Sequence, residues 1–178
     1  MLRRVLKLLF SIVAVLGLVL TAGSLLLPSQ FSVQRSVTMA ATPEAVWPLL
    51  AEPRRWQSWT AWNRRDPSMQ LQFEGPASGA GAAWSWRSAS EGDGRMVFIA
   101  ADAPRQLRYE LRFGGDDMPS QGELRLEPAG SGTRVTWSMT GRMGANPMYK
   151  WMALMADRFI GPDFEAGLAQ LKALVEAR

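Results

Sequence analysis

Few side chains in this sequence are suited to catalysis. It contains no Cys and no His, which excludes a thiol nucleophile, an imidazole base, a Ser-His-Asp triad and any metal site that needs Cys or His. Arg35, Asp66 and Tyr109 are left as candidates for an acid, a base or an oxyanion partner. No pattern assigns a catalytic role to any of the three, so the sequence favours binding over catalysis. We predict neither a metal nor a cofactor.

Arg35 also has a structural interpretation. It shares the parity of Val33 and Val37 on an alternating segment, which predicts an inward side chain. A buried Arg needs a partner, and Asp66 or Glu74 could supply one. The alternative is that Arg35 binds the acidic headgroup or carboxylate of a ligand.

The elements that would position these residues follow from periodicity. Apolar and polar side chains alternate over several segments, which predicts strands of an antiparallel sheet with one dry face and one wet face. Thr42 caps a short helix that starts at Pro43 and runs to about Leu50, and a second short helix or turn covers residues 54–59. The predicted strands are residues 31–39, 69–74, 82–87, 95–100, 107–113, 123–127 and 134–140.

The C-terminal segment changes to helical spacing, with apolar residues from Met148 to Val175 recurring every three or four positions. Gly161-Pro162 in its middle predicts a kink or a brief break. The dry sheet face has only this helix as a large partner. The fold class is therefore α+β, with a curved antiparallel sheet of about seven strands around one long helix and a hollow between them.

The inward positions are apolar, and the sequence is rich in large, soft side chains. It contains eight Trp and ten Met, which line cores and ligand pockets alike. An apolar hollow with few polar groups is typical of a small-molecule site, although the same residues could fill a dry core. Trp151 is predicted to face the hollow from the long helix. The predicted ligand-binding residues are Arg35, Trp59, Trp62, Trp84, Trp86, Met96, Phe98, Tyr109, Leu111, Trp137, Trp151, Met152 and Met155.

The N-terminal segment predicts a transmembrane helix. Residues 8–27 carry no charge and follow a basic flank, residues 1–7. Twenty helical residues span about 30 Å, the thickness of a bilayer core. The positive-inside rule places the N-terminus in the cytoplasm and the globular part on the far side, which is periplasmic or extracytoplasmic in a bacterium. The alternative is a cleaved signal peptide, for which Thr21-Ala22-Gly23 is a weak site.

One domain, residues 31–178, follows a short linker of residues 28–30. Three extended residues reach about 10 Å, so the domain is expected close to the membrane. Three of the 20 basic residues precede Leu8, which leaves 17 against 16 acidic residues. A nearly neutral domain with scattered basic residues argues against nucleic acid as a partner.

Several short segments occur in an order found in a known superfamily. They are Arg35-Ser36-Val37, Thr42–Trp47, Trp56–Trp62, Asp66-Pro67, Gly79–Ala82, Trp84–Trp86, Thr133–Ser138 and Asp163–Leu168. Over residues 31–177 the chain resembles the helix-grip fold of START-like proteins, also called the Bet v 1-like or SRPBCC superfamily, in its polyketide cyclase/dehydrase branch. The resemblance implies a hydrophobic ligand between sheet and long helix. It does not imply catalysis, because only some members are enzymes.

The leading hypothesis is a membrane-tethered module that binds or transfers a hydrophobic small molecule, such as a lipid or an isoprenoid quinone. One alternative is a polyketide cyclase/dehydratase-like enzyme that uses Tyr109, Arg35 or Asp66. The other is a membrane-bound module that holds a protein partner through the wet sheet face or the Trp-rich segment.

Overall fold

The computed structural model describes residues 2–114, 119–144 and 146–177. A long N-terminal helix precedes a seven-stranded sheet, three short helical segments lie between the first two strands, and a long helix ends the chain. In order, the elements are α1 (Leu2–Ser24), β1 (Gln30–Met39), α2 (Pro43–Ala51), a 3₁₀ helix (Pro53–Ser58), α3 (Ala61–Arg65), β2 (Gln70–Glu74), β3 (Ala83–Arg87), β4 (Gly94–Asp102), β5 (Gln106–Phe113), β6 (Ser120–Ala129), β7 (Gly132–Arg142) and α4 (Pro147–Glu176).

The strands form one antiparallel sheet in the order β1-β7-β6-β5-β4-β3-β2. Strands β2 to β7 pair with their neighbours in sequence, and β1 pairs with β7, where Arg35 lies opposite Trp137. A register shift between Phe98 and Ala100 interrupts the β4–β5 ladder, and such irregularities bend a strand and increase sheet twist. The prediction of about seven antiparallel strands is confirmed.

Helix α4 packs across the inner face of this sheet. Its buried residues include Phe164, Gly167, Leu168 and Leu171. The Phe164 ring stacks on Trp137 with a centroid separation of 3.9 Å and an interplanar angle of 3°. Gly167 permits this approach, because a Cβ there would lie 3.1 Å from the Trp137 ring.

Helix α4 is continuous through Gly161 and Pro162, so the prediction of a brief break was wrong. Pro162 removes one backbone donor, but the packing of both halves of the helix outweighs this loss. Gly161 has a different purpose. A Cβ at this position would overlap the Arg35 guanidinium, so glycine lets that side chain lie against the helix.

The 3₁₀ helix and the residue that follows it each supply one large side chain to the core. The Thr42 side chain accepts a hydrogen bond from the Ala45 amide at the start of α2, and Pro43 occupies the first turn. At the other end of α2, the indole N–H groups of Trp56 and Trp59 donate to the carbonyls of Leu50 and Leu49, at 2.8 and 3.0 Å. Both indoles are thereby buried with their polar atoms satisfied.

An aromatic cluster fills the middle of the space between sheet and helix. The Trp137 indole N–H donates to the Tyr109 hydroxyl at 2.8 Å, and both side chains are buried. Burial raises the pKa of the Tyr109 hydroxyl above its usual range, so it remains protonated at neutral pH. The Tyr109 ring lies directly on Gly122 of β6, where a Cβ would overlap it.

Gly122→Ala is expected to lower the free energy of unfolding by about 1–3 kcal/mol, because the added methyl group displaces the Tyr109 ring within a packed core. The measurement is urea unfolding of the full chain in detergent, followed by far-UV circular dichroism. Gln121→Ala, at the exposed neighbouring position of β6, is the control and should change stability by less than about 0.5 kcal/mol. Equal effects of the two substitutions would refute the close packing of Tyr109 on Gly122.

Helix α1 is long and apolar enough to cross a membrane, and the large apolar side chains described between Val5 and Leu20 are exposed. It begins at Leu2 and ends at Ser24, whereas the sequence predicted a helix over residues 8–27. The end is earlier because turn hydrogen bonds follow, from the amides of Leu25 and Leu26 to the carbonyls of Ala22 and Gly23.

The last turn of α1 contacts the first turn of α4. The Lys150 ammonium donates to the Ser24 carbonyl at 3.1 Å, and the Trp151 indole N–H donates to the Leu20 carbonyl at 3.1 Å. A lysine at this position satisfies a helix-terminal carbonyl and complements the helix dipole. Trp151 therefore faces α1, and the prediction that it faces the hollow was wrong. The start of α4 is apolar on more than one side, so its periodicity did not identify the buried one.

Candidate functional site

A pocket of about 130 Å³ remains at one end of the space between sheet and helix. It lies where β3, β4 and β5 approach α3 and α4. Most of its lining is aromatic or aliphatic, with a small polar group at one side. The apolar lining residues are Trp62, Met69, Trp84, Trp86, Met96, Leu111 and Phe113, and the polar ones are Arg65, Glu91 and Asp163.

The register of the sheet brings the apolar wall together. Trp84 lies opposite Met96, and Met96 lies opposite Leu111, so three adjacent strands present one side chain each to the same face. On the next rung Gly94 lies between Trp86 and Phe113. A Cβ at Gly94 would overlap the Trp86 indole. Glycine therefore allows this ring to cross β4 and meet Phe113 edge-on, at 6.0 Å between centroids.

Arg65 joins three elements at the mouth of the pocket. Its guanidinium donates to Glu91, at 2.9 and 2.6 Å, and to Asp163 of α4. These hydrogen bonds, first to Glu91 and then to Asp163, raise the pKa of Arg65 above its already high ordinary value. Arg65 therefore stays charged and connects α3, the β3–β4 turn and α4 around the opening.

Asp66 fixes the turn that carries Glu91. The Asp66 carboxylate accepts hydrogen bonds from the Ser68 hydroxyl and amide and from the Ser88 hydroxyl at 2.6 Å. The Ser88 oxygen in turn accepts from the Glu91 amide at 2.9 Å. The hydrogen bonds from Ser68 and Ser88 hold the pKa of Asp66 below its ordinary value. Asp66 therefore organises the rim from outside the pocket lining.

The lowered pKa of Asp66 predicts a pH dependence of stability. The carboxylate stabilises the folded protein fully above the unfolded pKa, near 3.8, and this contribution disappears as pH falls through the lower folded pKa. We expect Asp66→Asn to be less stable than wild type at pH 7 and to approach wild type as pH falls below 3.8. Urea midpoints at pH 7, 5, 4 and 3 test this. A difference that stays constant over the series would contradict it.

A second, open groove of about 750 Å³ adjoins the pocket. It crosses β2 to β5 at the end of the sheet where β3 turns into β4. Trp86 and Phe113 line both spaces, so these two side chains separate the pocket from the groove. Phe113 is 48% exposed, which makes it the less constrained of the two.

Comparison with known proteins identifies the family of this chain. The sequence profile of the family described as "Polyketide cyclase / dehydrase and lipid transport" matches residues 30–176. The chain belongs to this polyketide cyclase/dehydrase and lipid transport family. A search of curated proteins with the sequence of this chain gives no significant match.

Solved structures similar to this family member share its fold at low sequence identity. Norcoclaurine synthase from Thalictrum flavum, solved in complex with dopamine and hydroxybenzaldehyde, has 14% identity and a TM-score of 0.64, covering 84% of this chain and 88% of its own. A Chromobacterium violaceum protein has 17% identity, a TM-score of 0.59 and coverages of 82% and 96%. A Nitrosospira multiformis protein has 21% identity, a TM-score of 0.58 and coverages of 80% and 94%. The predicted helix-grip fold is thereby confirmed.

The thirteen ligand-binding residues predicted from the sequence fall into three places in this family member. Five line the pocket, four are enclosed in the aromatic core, and four lie on or against α4 outside both. The pocket contains Trp62, Trp84, Trp86, Met96 and Leu111. The core contains Trp59, Phe98, Tyr109 and Trp137. The outer group is Trp151, Met152, Met155 and Arg35.

Arg35 lies on the same face of β1 as Val33 and points towards α4, as predicted, although it is only partly buried. Its guanidinium donates to Asp157 at 2.7 Å and to Glu165 at 2.5 Å, both on α4. The predicted partners are engaged elsewhere, Asp66 with two serines and Glu74 with Arg95. The hydrogen bonds from Arg35 hold the pKa of Asp157 below its ordinary value. Arg35 therefore connects β1 to the helix.

The candidates for acid–base chemistry do not converge. Tyr109 is enclosed in the core, Arg35 lies between β1 and α4, and Asp66 organises a turn. None of the three lines the pocket. Within the residues that the structure describes, no three acidic side chains come together to hold a metal ion.

The polar rim was missed from the sequence. Arg65 meets partners that are 26 and 98 residues away, and no local pattern indicates such pairings. The sequence indicated this rim only indirectly: Asp163 is the first residue of one of the segments that resemble the superfamily.

Proposed function

We propose that this chain binds one hydrophobic or amphiphilic small molecule, with an apolar end in the pocket and a polar end at the Arg65 rim. The observation that carries the proposal is the wall of Trp62, Trp84 and Trp86, closed on one side by a single charged cluster. An apolar pocket with few, convergent polar groups is the usual form of a small-molecule site. A lipid or an isoprenoid quinone has this combination of an apolar chain or ring and a polar group.

The size of the pocket limits what it holds. Its volume of about 130 Å³ is below the range of about 300–1,000 Å³ that encloses a whole drug-sized ligand. The ligand therefore inserts one end, and the remainder passes the rim or occupies the neighbouring groove. Phe113, which borders both spaces and is half-exposed, is the side chain whose movement would enlarge the site.

The tether is the second part of the proposal. Residues Arg3–Ser24 of α1 are apolar enough to cross a membrane, and a helix of this length spans a bilayer core. The basic residues Arg3, Arg4 and Lys7 in its first two turns favour a cytoplasmic N-terminus with the domain on the opposite side. A domain anchored in this way would take up a ligand dissolved in the membrane, and the ligand would not have to cross water.

The test is quenching of tryptophan fluorescence in the full chain in dodecyl maltoside. The probes are decylubiquinone and a doxyl-labelled phosphatidylcholine, which separate a quinone ligand from a phospholipid. We expect one of them to quench saturably at one molecule per chain. Phe113→Arg should abolish saturation, because it places a charge at the pocket wall, whereas Ile99→Arg, at another exposed apolar position of the sheet, should retain it. Unsaturable quenching by both probes, equal in all three proteins, would refute the proposal.

A further inference from the structure

The first half of α4 exposes an apolar stripe to solvent. Met148, Met152, Met155 and Phe159 follow one another at intervals of four, three and four residues, so they lie on one side of the helix. All four are exposed, Met148 by 70% and Phe159 by 62%. Large exposed apolar patches on a folded domain indicate a partner or a membrane.

The continuation of this stripe has a different composition. Beyond Pro162 the same side of α4 carries Ala166, Ala169 and Ala173, which are also exposed. The large apolar side chains are thus confined to the half of α4 that begins at α1. Packing of α4 on the sheet does not explain these exposed side chains, because the buried side of the helix carries its own apolar residues.

The stripe begins beside the end of α1. The contacts of Lys150 with Ser24 and of Trp151 with Leu20 place the start of α4 at the last turn of α1. The turn that follows α1 adds Leu25 and Leu26, the latter 89% exposed. Trp151 at this point agrees with the preference of indole rings for the membrane interface.

We infer that the stripe from Met148 to Phe159 lies in the headgroup region of the membrane that α1 spans, so that the first half of α4 is an interfacial helix. This inference rests on the proposed insertion of α1. The geometry favours a lipid surface as the partner of the stripe. Where α1 leaves the bilayer, the residues beside its end lie at the bilayer surface. Burying an apolar face at the boundary between headgroups and acyl chains is the ordinary mode of such helices.

The inferred orientation brings the pocket towards the lipid. Asp163, at the pocket mouth, follows Phe159 by about one turn of α4, or roughly 6 Å along the axis. A domain resting on the stripe would therefore hold its opening near the headgroups. A ligand could then pass between membrane and pocket over a short distance.

The chain contains no cysteine, so a single introduced cysteine can be labelled at a chosen position. Single cysteines carrying a nitroxide spin label are introduced into the full chain in nanodiscs of phosphatidylcholine and phosphatidylglycerol. Met152→Cys and Phe159→Cys report on the stripe, Ala169→Cys and Ala173→Cys on its continuation, and Leu16→Cys on α1. The measurement is the ratio of the accessibility of each label to oxygen, which enters lipid, and to a water-soluble nickel chelate.

We expect the oxygen-to-nickel ratio at 152 and 159 to be several-fold higher than at 169 and 173, and highest at 16. Equal ratios at all four α4 positions, with Leu16→Cys in lipid, would overturn the inference and leave the tether intact. A water-like ratio at 16 would overturn the tether itself. Spin–spin broadening at 152 and 159, with no access to lipid, would assign the stripe to a second copy of the chain and also overturn the inference.

Discussion

We expect Trp137→Ala to lower the free energy of unfolding by about 3–5 kcal/mol, the usual loss when a large buried aromatic side chain is truncated. The indole is fully buried and stacks on Phe164 at 3.9 Å. Removing it also takes the hydrogen-bond donor from the buried Tyr109 hydroxyl, and an unsatisfied buried polar group adds to the loss. Since whole domains are stable by only about 5–15 kcal/mol, this single change should leave the protein close to unfolding.

The controls separate stacking from hydrogen bonding. Trp137→Phe keeps an aromatic ring against Phe164 and loses only the N–H donor and part of the ring, so its effect should be smaller. Trp151→Ala removes a partly exposed indole from the outer side of α4 and should affect unfolding of the sheet least. The measurement is chemical unfolding of the full chain in detergent by far-UV circular dichroism. If Trp137→Ala and Trp151→Ala lose the same stability, Trp137 is not the centre of the core.

Trp62→Ala is expected to weaken ligand binding by about tenfold to a hundredfold. This corresponds to the roughly 1.5–3 kcal/mol that burial of a large apolar side chain contributes. Trp62 is half-buried, lines the pocket and meets Trp137 edge-on at 5.9 Å between centroids. Its removal takes away one wall of the site and leaves the fully buried core residues in place.

The matched control is Trp47→Ala. Trp47 is also half-buried against the core but lies outside the pocket lining. Titration of both variants with the probe that binds the wild-type chain, together with their urea midpoints, separates binding from folding. An equal loss of affinity in the two variants would mean that Trp62 acts through stability alone.

The fold could be predicted from the sequence because its signals are local. The strict alternation around Tyr109 and Trp137 placed both side chains on the inner face, and both are buried there. Short turns between consecutive strands favour antiparallel neighbours, and β2 to β7 pair in this way. The position of β1 beside β7 was not predicted, because this pairing joins residues that lie far apart in the sequence.

The site was predictable only in part, because alternation tells which face a residue occupies but not whether that face is filled. Trp59 and Trp84 were both predicted to bind the ligand. Trp59 lies in the closed core, where its indole N–H donates to the Leu49 carbonyl of α2, whereas Trp84 lines the pocket.

Charged contacts were the least predictable feature. Arg35 has the parity of an inward residue, yet its partners Asp157 and Glu165 lie 122 and 130 residues away on α4. Pairing at such separation depends on how the helix crosses the sheet, which periodicity does not specify. The rim formed by Arg65, Glu91 and Asp163 escaped prediction for the same reason.

Direct identification of a bound molecule tests the central claim, that the pocket holds an apolar ligand. The full chain is purified from membranes in detergent, extracted with organic solvent, and the extract is analysed by mass spectrometry beside those of Phe113→Arg and Ile99→Arg. We predict one amphiphile in a near-stoichiometric amount in the wild-type and Ile99→Arg samples and its loss in Phe113→Arg. Extracts with no amphiphile above the detergent blank, or with the same amount in all three proteins, would contradict it.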